Sequence, residues 1–166
     1  PMVSTPLLVP ELGTNNGVLT IGSTGQTAPI RVGSRQGETN ALGDGIVLNA
    51  GTAANAGTQL GFFGDGTGDM TGTINVFAMD GGLTLNSGGD SSYTQIGHGG
   101  LGATGNNITD AADITVEFCE AGDVDLNGGT GLKSYAQIGN GIQSVNTQRL
   151  GDEVITNFAN IDMDSG

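Results

Sequence analysis

The sequence predicts an all-β protein, a right-handed parallel β-helix (β-solenoid) of about four coils with loop insertions at its corners. Three observations point there: 32 glycines among 166 residues, short apolar runs with strand-like alternation, and one motif that returns along the chain at steady internal spacing. Glycine at this level is far above its average usage of about 7%. It does not recur at every third position and there are only 4 prolines, which excludes a collagen-like chain. Ile, Val and Leu gather in short runs instead of being thinned out, which argues against disorder. Many short strands joined by Gly, Asn, Asp, Ser and Thr turns remain. A β-sandwich or jelly roll shares these features and is the rival architecture. It does not require a motif that recurs in register.

The chain reads as one domain, with 1–16 as an N-terminal segment or cap, 17–142 as the repeats and 143–166 as a partial last coil or assembly segment. Leu7-Leu8-Val9 reads as a first strand, and Pro6 and Pro10 beside it suit an edge better than a central position. The first copy of the repeat is Leu19-Thr20-Ile21-Gly22 followed by Ile30-Arg31-Val32-Gly33. The second is Ile46-Val47-Leu48-Asn49-Ala50-Gly51 followed by Thr58-Gln59-Leu60-Gly61. The third gains a leading block, Ile74-Asn75-Val76-Phe77, ahead of Leu83-Thr84-Leu85-Asn86-Ser87-Gly88 and Tyr93-Thr94-Gln95-Ile96-Gly97. The fourth runs Ile114-Thr115-Val116-Glu117-Phe118, Val124-Asp125-Leu126-Asn127-Gly128-Gly129 and Tyr135-Ala136-Gln137-Ile138-Gly139. No leading block can be read between Val32 and Ile46. Val154-Ile155-Thr156-Asn157-Phe158 reads as the start of one further copy, with Val154, Ile155, Phe158 and Ile161 expected at an assembly face.

Spacing carries the argument for a repeat. Ile21 to Val32, Leu48 to Leu60, Leu85 to Ile96 and Leu126 to Ile138 are 11, 12, 11 and 12 residues apart. The outer interval varies: Gly33 to Gly61 is 28 residues, Gly61 to Gly97 is 36 and Gly97 to Gly139 is 42. The extra length falls mainly at 65–73 and 101–113, where a stacked repeat can loop out while its strands keep register. Leu48, Leu85 and Leu126 are expected in one interior column, and Leu60, Ile96 and Ile138 in another. Asn49, Asn86 and Asn127 recur just after the first column. They read either as an amide ladder up the stack or as turn formers. Gln59, Gln95 and Gln137 read as a second ladder or as a solvated face, with Arg31 at the same place in the first copy.

Charge and the rarer residues bound the function. There are 17 acids against 4 bases, a formal net charge of −13. Such a surface does not track a nucleic-acid backbone or an anionic membrane. No apolar run approaches the roughly 20 residues that span a bilayer. Cys119 is the only cysteine, so there is no internal disulfide framework, and it reads as a buried, inert strand residue. His98 is the only histidine. It stands where the next copy has Asn140, which points to a turn role. Calcium is the one cofactor considered: Gly64-Asp65-Gly66-Thr67-Gly68-Asp69 has the composition of a short Gly/Asp loop in which Asp65 and Asp69 supply hard oxygen ligands. Asp110 and Asp113 form a weaker pair. The chain begins at Pro1 and reads as a processed product or an excised fragment.

Residues 114–141, with their Tyr-Ala-Gln-Ile-Gly-Asn-Gly ending, resemble the repeats of large bacterial filamentous-haemagglutinin-like surface proteins and autotransporter-type adhesins. Those repeats end in Tyr-Ala-Gln-Ile-Gly-His-Gly-Gly, and here Tyr93-Thr94-Gln95-Ile96-Gly97-His98-Gly99-Gly100 is a near copy. The resemblance covers 74–142 well and 17–66 loosely. It implies a secreted parallel β-helix at the bacterial cell surface, with a structural or adhesive role and no catalytic residues to carry over. Such adhesins are much longer than this chain, which implies a fragment or a small subunit. The expected function is therefore a non-enzymatic extracellular structural protein, either a fibre subunit whose partners are copies of itself or part of a longer adhesin. The alternative is a β-helix that binds or processes carbohydrate, using Tyr93 and Tyr135 as a platform or Arg31, Arg35 and scattered acids as a site.

Overall fold

The computed structural model describes residues 11–13, 17–64, 68–79, 81–103, 108, 112–118, 123–141 and 163–165. They form strands and no helix. In chain order the strands are β1 (Glu11–Gly13), β2 (Val18–Ile21), β3 (Ile30–Val32), β4 (Thr39–Gly43), β5 (Gly45–Asn49), β6 (Thr58–Leu60), β7 (Ile74–Ala78), β8 (Leu83–Asn86), β9 (Thr94–Ile96), β10 (Ile114–Phe118), β11 (Val124–Asn127), β12 (Ala136–Ile138) and β13 (Met163–Ser165). Three sheets result, with orders β1-β4-β7-β10-β13, β11-β8-β5-β2 and β12-β9-β6-β3. The chain thus visits the first, second and third sheet in turn and returns to the first. Every pairing is parallel. A β-sandwich or jelly roll is built on antiparallel ladders, so the rival architecture is excluded.

Register follows the motif. Ile21, Leu48, Leu85 and Leu126 pair in sequence across the second sheet. Val32, Leu60, Ile96 and Ile138 do so across the third. Alternation sends every second side chain inward, and Ile46, Leu48, Leu60, Ile74, Val76, Leu83, Leu85, Ile96, Ile114 and Val116 meet there in one buried cluster. Each such aliphatic contributes about 1.5–3 kcal/mol. The columns are not equally covered. Leu126 is in register with Leu85 but 46% exposed, because β11 has one neighbour among the described strands. The expected interior position holds for Leu48 and Leu85 and not for Leu126.

Three strands, β1, β4 and β13, were not read from the sequence. The leading block that could not be read between Val32 and Ile46 is β4, paired with β7 through Thr39↔Ile74 and Ala41↔Val76. Its inward residues are Thr39, Ala41 and Gly43, too small and too polar to register as an apolar run. At the two ends of the first sheet stand β1 and β13, paired with β4 and β10. The Leu7-Leu8-Val9 strand and the expected assembly residues Val154, Ile155, Phe158 and Ile161 lie outside the described residues.

Candidate functional site

The densest polar chemistry lies against the third sheet. In β6 and β9 all three residues are buried. Leu60 and Ile96 face the apolar core, so Gln59 and Gln95 face the opposite way and are buried by something else. The Gly-rich segment that follows β9 covers Gln95, since Gly100 comes close to Tyr93 Oη and Gln95 Oε1, and the same segment meets the Gln59 amide of the preceding copy. Burial of an amide is tolerated only with its bonds made. Gln59 Nε2 donates to the carbonyls of Gly97 (2.8 Å) and Gly99 (2.7 Å). Gln95 Nε2 donates to those of His98, Gly139 and Gly141. Tyr93 Oη donates to Gln59 Oε1 at 3.3 Å, and Tyr135 Oη to Gln95 Oε1 at 3.2 Å. Gln59 and Gln95 are therefore neither an amide ladder nor a solvated face. Each ties its own strand to the glycine turn of the next copy. Among the described residues, Gln137 reaches its own Gly139 carbonyl, at 3.2 Å.

His98 belongs to the same structure. Its ring is buried. Nδ1 accepts the Phe62 N–H at 3.1 Å, so the neutral ring carries its proton on Nε2, which donates to the Gly72 carbonyl at 2.8 Å. One copy later, Asn140 Oδ1 accepts the His98 N–H at 2.8 Å and Asn140 Nδ2 donates to the Ala112 carbonyl at 2.6 Å. Phe62 and His98 both follow the motif glycine, and Gly72 and Ala112 both stand two residues before a strand of the first sheet. The imidazole and the amide thus make the same two bonds. Burial pushes the His98 pKa below its ordinary value, partly opposed by the bond to Gly72. Burial also raises the pKa of Tyr93, opposed by the nearby Arg31, and that of Tyr135, where Tyr93 adds to the effect.

The asparagines form the ladder that was one of their two readings. Asn127 Nδ2 donates to Asn86 Oδ1, and Asn86 Nδ2 to Asn49 Oδ1, each at 2.9 Å. A shorter ladder was not read from the sequence: Asn75 Nδ2 donates to Asn40 Oδ1 at 2.8 Å. Ser92 and Ser134 were also missed. Ser92 Oγ donates to the Ala53 carbonyl at 2.6 Å, and Ser134 Oγ to the Ser92 carbonyl at 2.9 Å. The signal was present, since a serine immediately precedes both motif tyrosines.

The remaining candidates form no further cluster of three or more metal-ligating side chains among the described residues. Tyr93 and Tyr135 stack, with centroids 5.0 Å apart and planes 7° from parallel, but Tyr93 is 3% exposed and offers no open aromatic platform. The Arg31 guanidinium lies 3.7 Å from the Phe63 ring centroid. Asp69 is exposed, whereas Asp65, Asp110 and Cys119 lie outside the described residues. Among the described residues there is no group of three or more His, Cys, Asp or Glu side chains able to hold a metal, and no buried side-chain N or O lacks a hydrogen-bond partner. Comparison with protein-family models, curated proteins and solved structures finds no match.

Proposed function

We propose that this chain is a stretch of right-handed parallel β-helix with a structural role outside the cell. It is either a fibre subunit that adds copies of itself head-to-tail or a segment of a longer filamentous adhesin of the kind its repeats resemble. The observation that carries the reading is that the buried polar side chains Gln59, Gln95, His98 and Asn140 are all engaged in bonds between successive copies of the motif. A catalytic or ligand site needs such groups turned toward a substrate. Support also comes from the edges. Among the described strands, β2 and β3 on one side and β11 and β12 on the other have a single neighbour in their parallel sheets, and an edge of this kind accepts a further strand in the same sense. A head-to-tail contact that does not close on itself propagates as a fibre.

The test is negative-stain microscopy and fibre diffraction of concentrated protein, with and without millimolar calcium. Filaments whose strand spacing of about 4.8 Å lies along the long axis are expected. Dispersed compact particles at every concentration, in both conditions, would sink the fibre-subunit reading.

A further inference from the structure

We infer that Asn127-Gly128 is a site of spontaneous backbone-assisted deamidation wherever no further strand lies on β11. Asn49, Asn86 and Asn127 occupy one column, and the residue after each differs in how its amide is held. The Ala50 N–H donates to the Asn86 carbonyl at 2.8 Å, and the Ser87 N–H to the Asn127 carbonyl at 2.9 Å. The Gly128 N–H stands at the same place and has no partner among the described residues. Asn127 and Gly128 are both exposed. Gly128 also lacks the side chain that shields this nitrogen elsewhere in the column. Ordinary peptide chemistry then applies. The deprotonated Gly128 nitrogen attacks Asn127 Cγ, a C–N bond forms, the Cγ–Nδ2 bond breaks and ammonia leaves. Water opens the resulting succinimide to aspartate or isoaspartate.

A second Asn-Gly pair in the same fold serves as the internal contrast. The Gly141 N–H donates to the His98 carbonyl at 2.9 Å, and Asn140 is buried with both ends of its amide bonded. The attacking nitrogen is occupied there and the side-chain amide is held at both ends. Conversion at Asn127 changes the end of the stack. The new carboxylate cannot donate to Asn86 Oδ1, so two acceptors face each other where a 2.9 Å bond stood. Isoaspartate adds a methylene to the main chain and breaks the register of β11 on β8. A strand laid on β11 would take the Gly128 N–H and protect the pair, so the reaction proceeds only at an end with no such cover. The inference stands on the observed pairing of β11 and not on the proposed cellular role.

The test is to incubate the intact chain in mildly alkaline buffer and follow amide-to-acid conversion by peptide mapping. Cleavage after Lys133 puts Asn127 and Asn140 on separate peptides. Asn127 is expected to convert several-fold faster than Asn140 in the folded protein, and the two rates should converge in urea. Gly128→Ala places a methyl that meets nothing within 4 Å. It should slow conversion at Asn127 several-fold and leave the melting temperature unchanged. Folded Asn140 converting as fast as Asn127, or an Asn127 rate unaffected by Gly128→Ala, would overturn the inference.

Discussion

At the scale of single residues, two positions have consequences that can be measured. His98 is held neutral by burial between a donor and an acceptor. Its folded pKa lies below the ordinary 6.5, so the unfolded chain takes up a proton first as pH falls. The stability this neutral ring contributes is complete above pH 6.5 and is lost between there and its lower folded pKa, with a slope of at most about 1.4 kcal/mol per pH unit. Urea denaturation across that window should show the slope, and His98→Asn should remove it. At neutral pH His98→Asn should be nearly neutral, because Asn140 already makes the same two bonds one copy later. His98→Ala leaves the Phe62 N–H and the Gly72 carbonyl unpaired and should cost about 2–4 kcal/mol. Gly97 is the second position. Its φ is +148°, and a methyl there would run into the Gly139 carbonyl of the neighbouring strand end. Gly61 stands in the same relation to Gly97. Gly97→Ala should therefore lose about 2–4 kcal/mol, whereas Gly25→Ala, which meets nothing within 4 Å, should be close to neutral. Equal denaturation midpoints for the two variants would contradict this account of the motif glycine.

At the scale of elements, strands of only 3 residues in the third sheet are too short to hold together by their ladders alone. What adds to them is the pair of buried bonds from each glutamine to the next copy's glycine turn. The asparagine ladder does related work at a more solvated place, where water competes for the same groups. Gln95→Leu should cost about 1–3 kcal/mol by leaving the Gly139 and Gly141 carbonyls without this donor. Asn86→Ala should cost less, about 0.5–1.5 kcal/mol. The ranking is the test: a larger loss for Asn86→Ala would mean that the ladder outweighs the buried amides. The sequence made the asparagine ladder legible as one of two readings because equal residues recurred at equal spacing. The same logic misled for glutamine. Recurrence reveals a column but not which face the column lies on, and the cover is set by how the segment after β9 folds over Gln59 and Gln95.

At the scale of the whole molecule, cohesion comes from neighbour pairing, so stability should fall toward the edges. Hydrogen exchange should be slowest for the amides of β6, β8 and β9 and fastest in β11 and β12, where Leu126 is exposed and Ile138 only half-buried. Uniform protection across all these strands would contradict a nearest-neighbour architecture. The sequence by itself determined the all-β class, the in-register columns and the place of each motif strand except β4. It could do so because period-two alternation and fixed spacing are local properties of the chain. Only the tertiary structure decided that β4 pairs through small residues, that Gln59 and Gln95 are buried, that His98 and Asn140 are interchangeable in bonding, and that Leu126 and Gly128 are exposed where β11 has one neighbour among the described strands. Each of these depends on which residues distant in sequence lie above, below or across, and no local pattern encodes that.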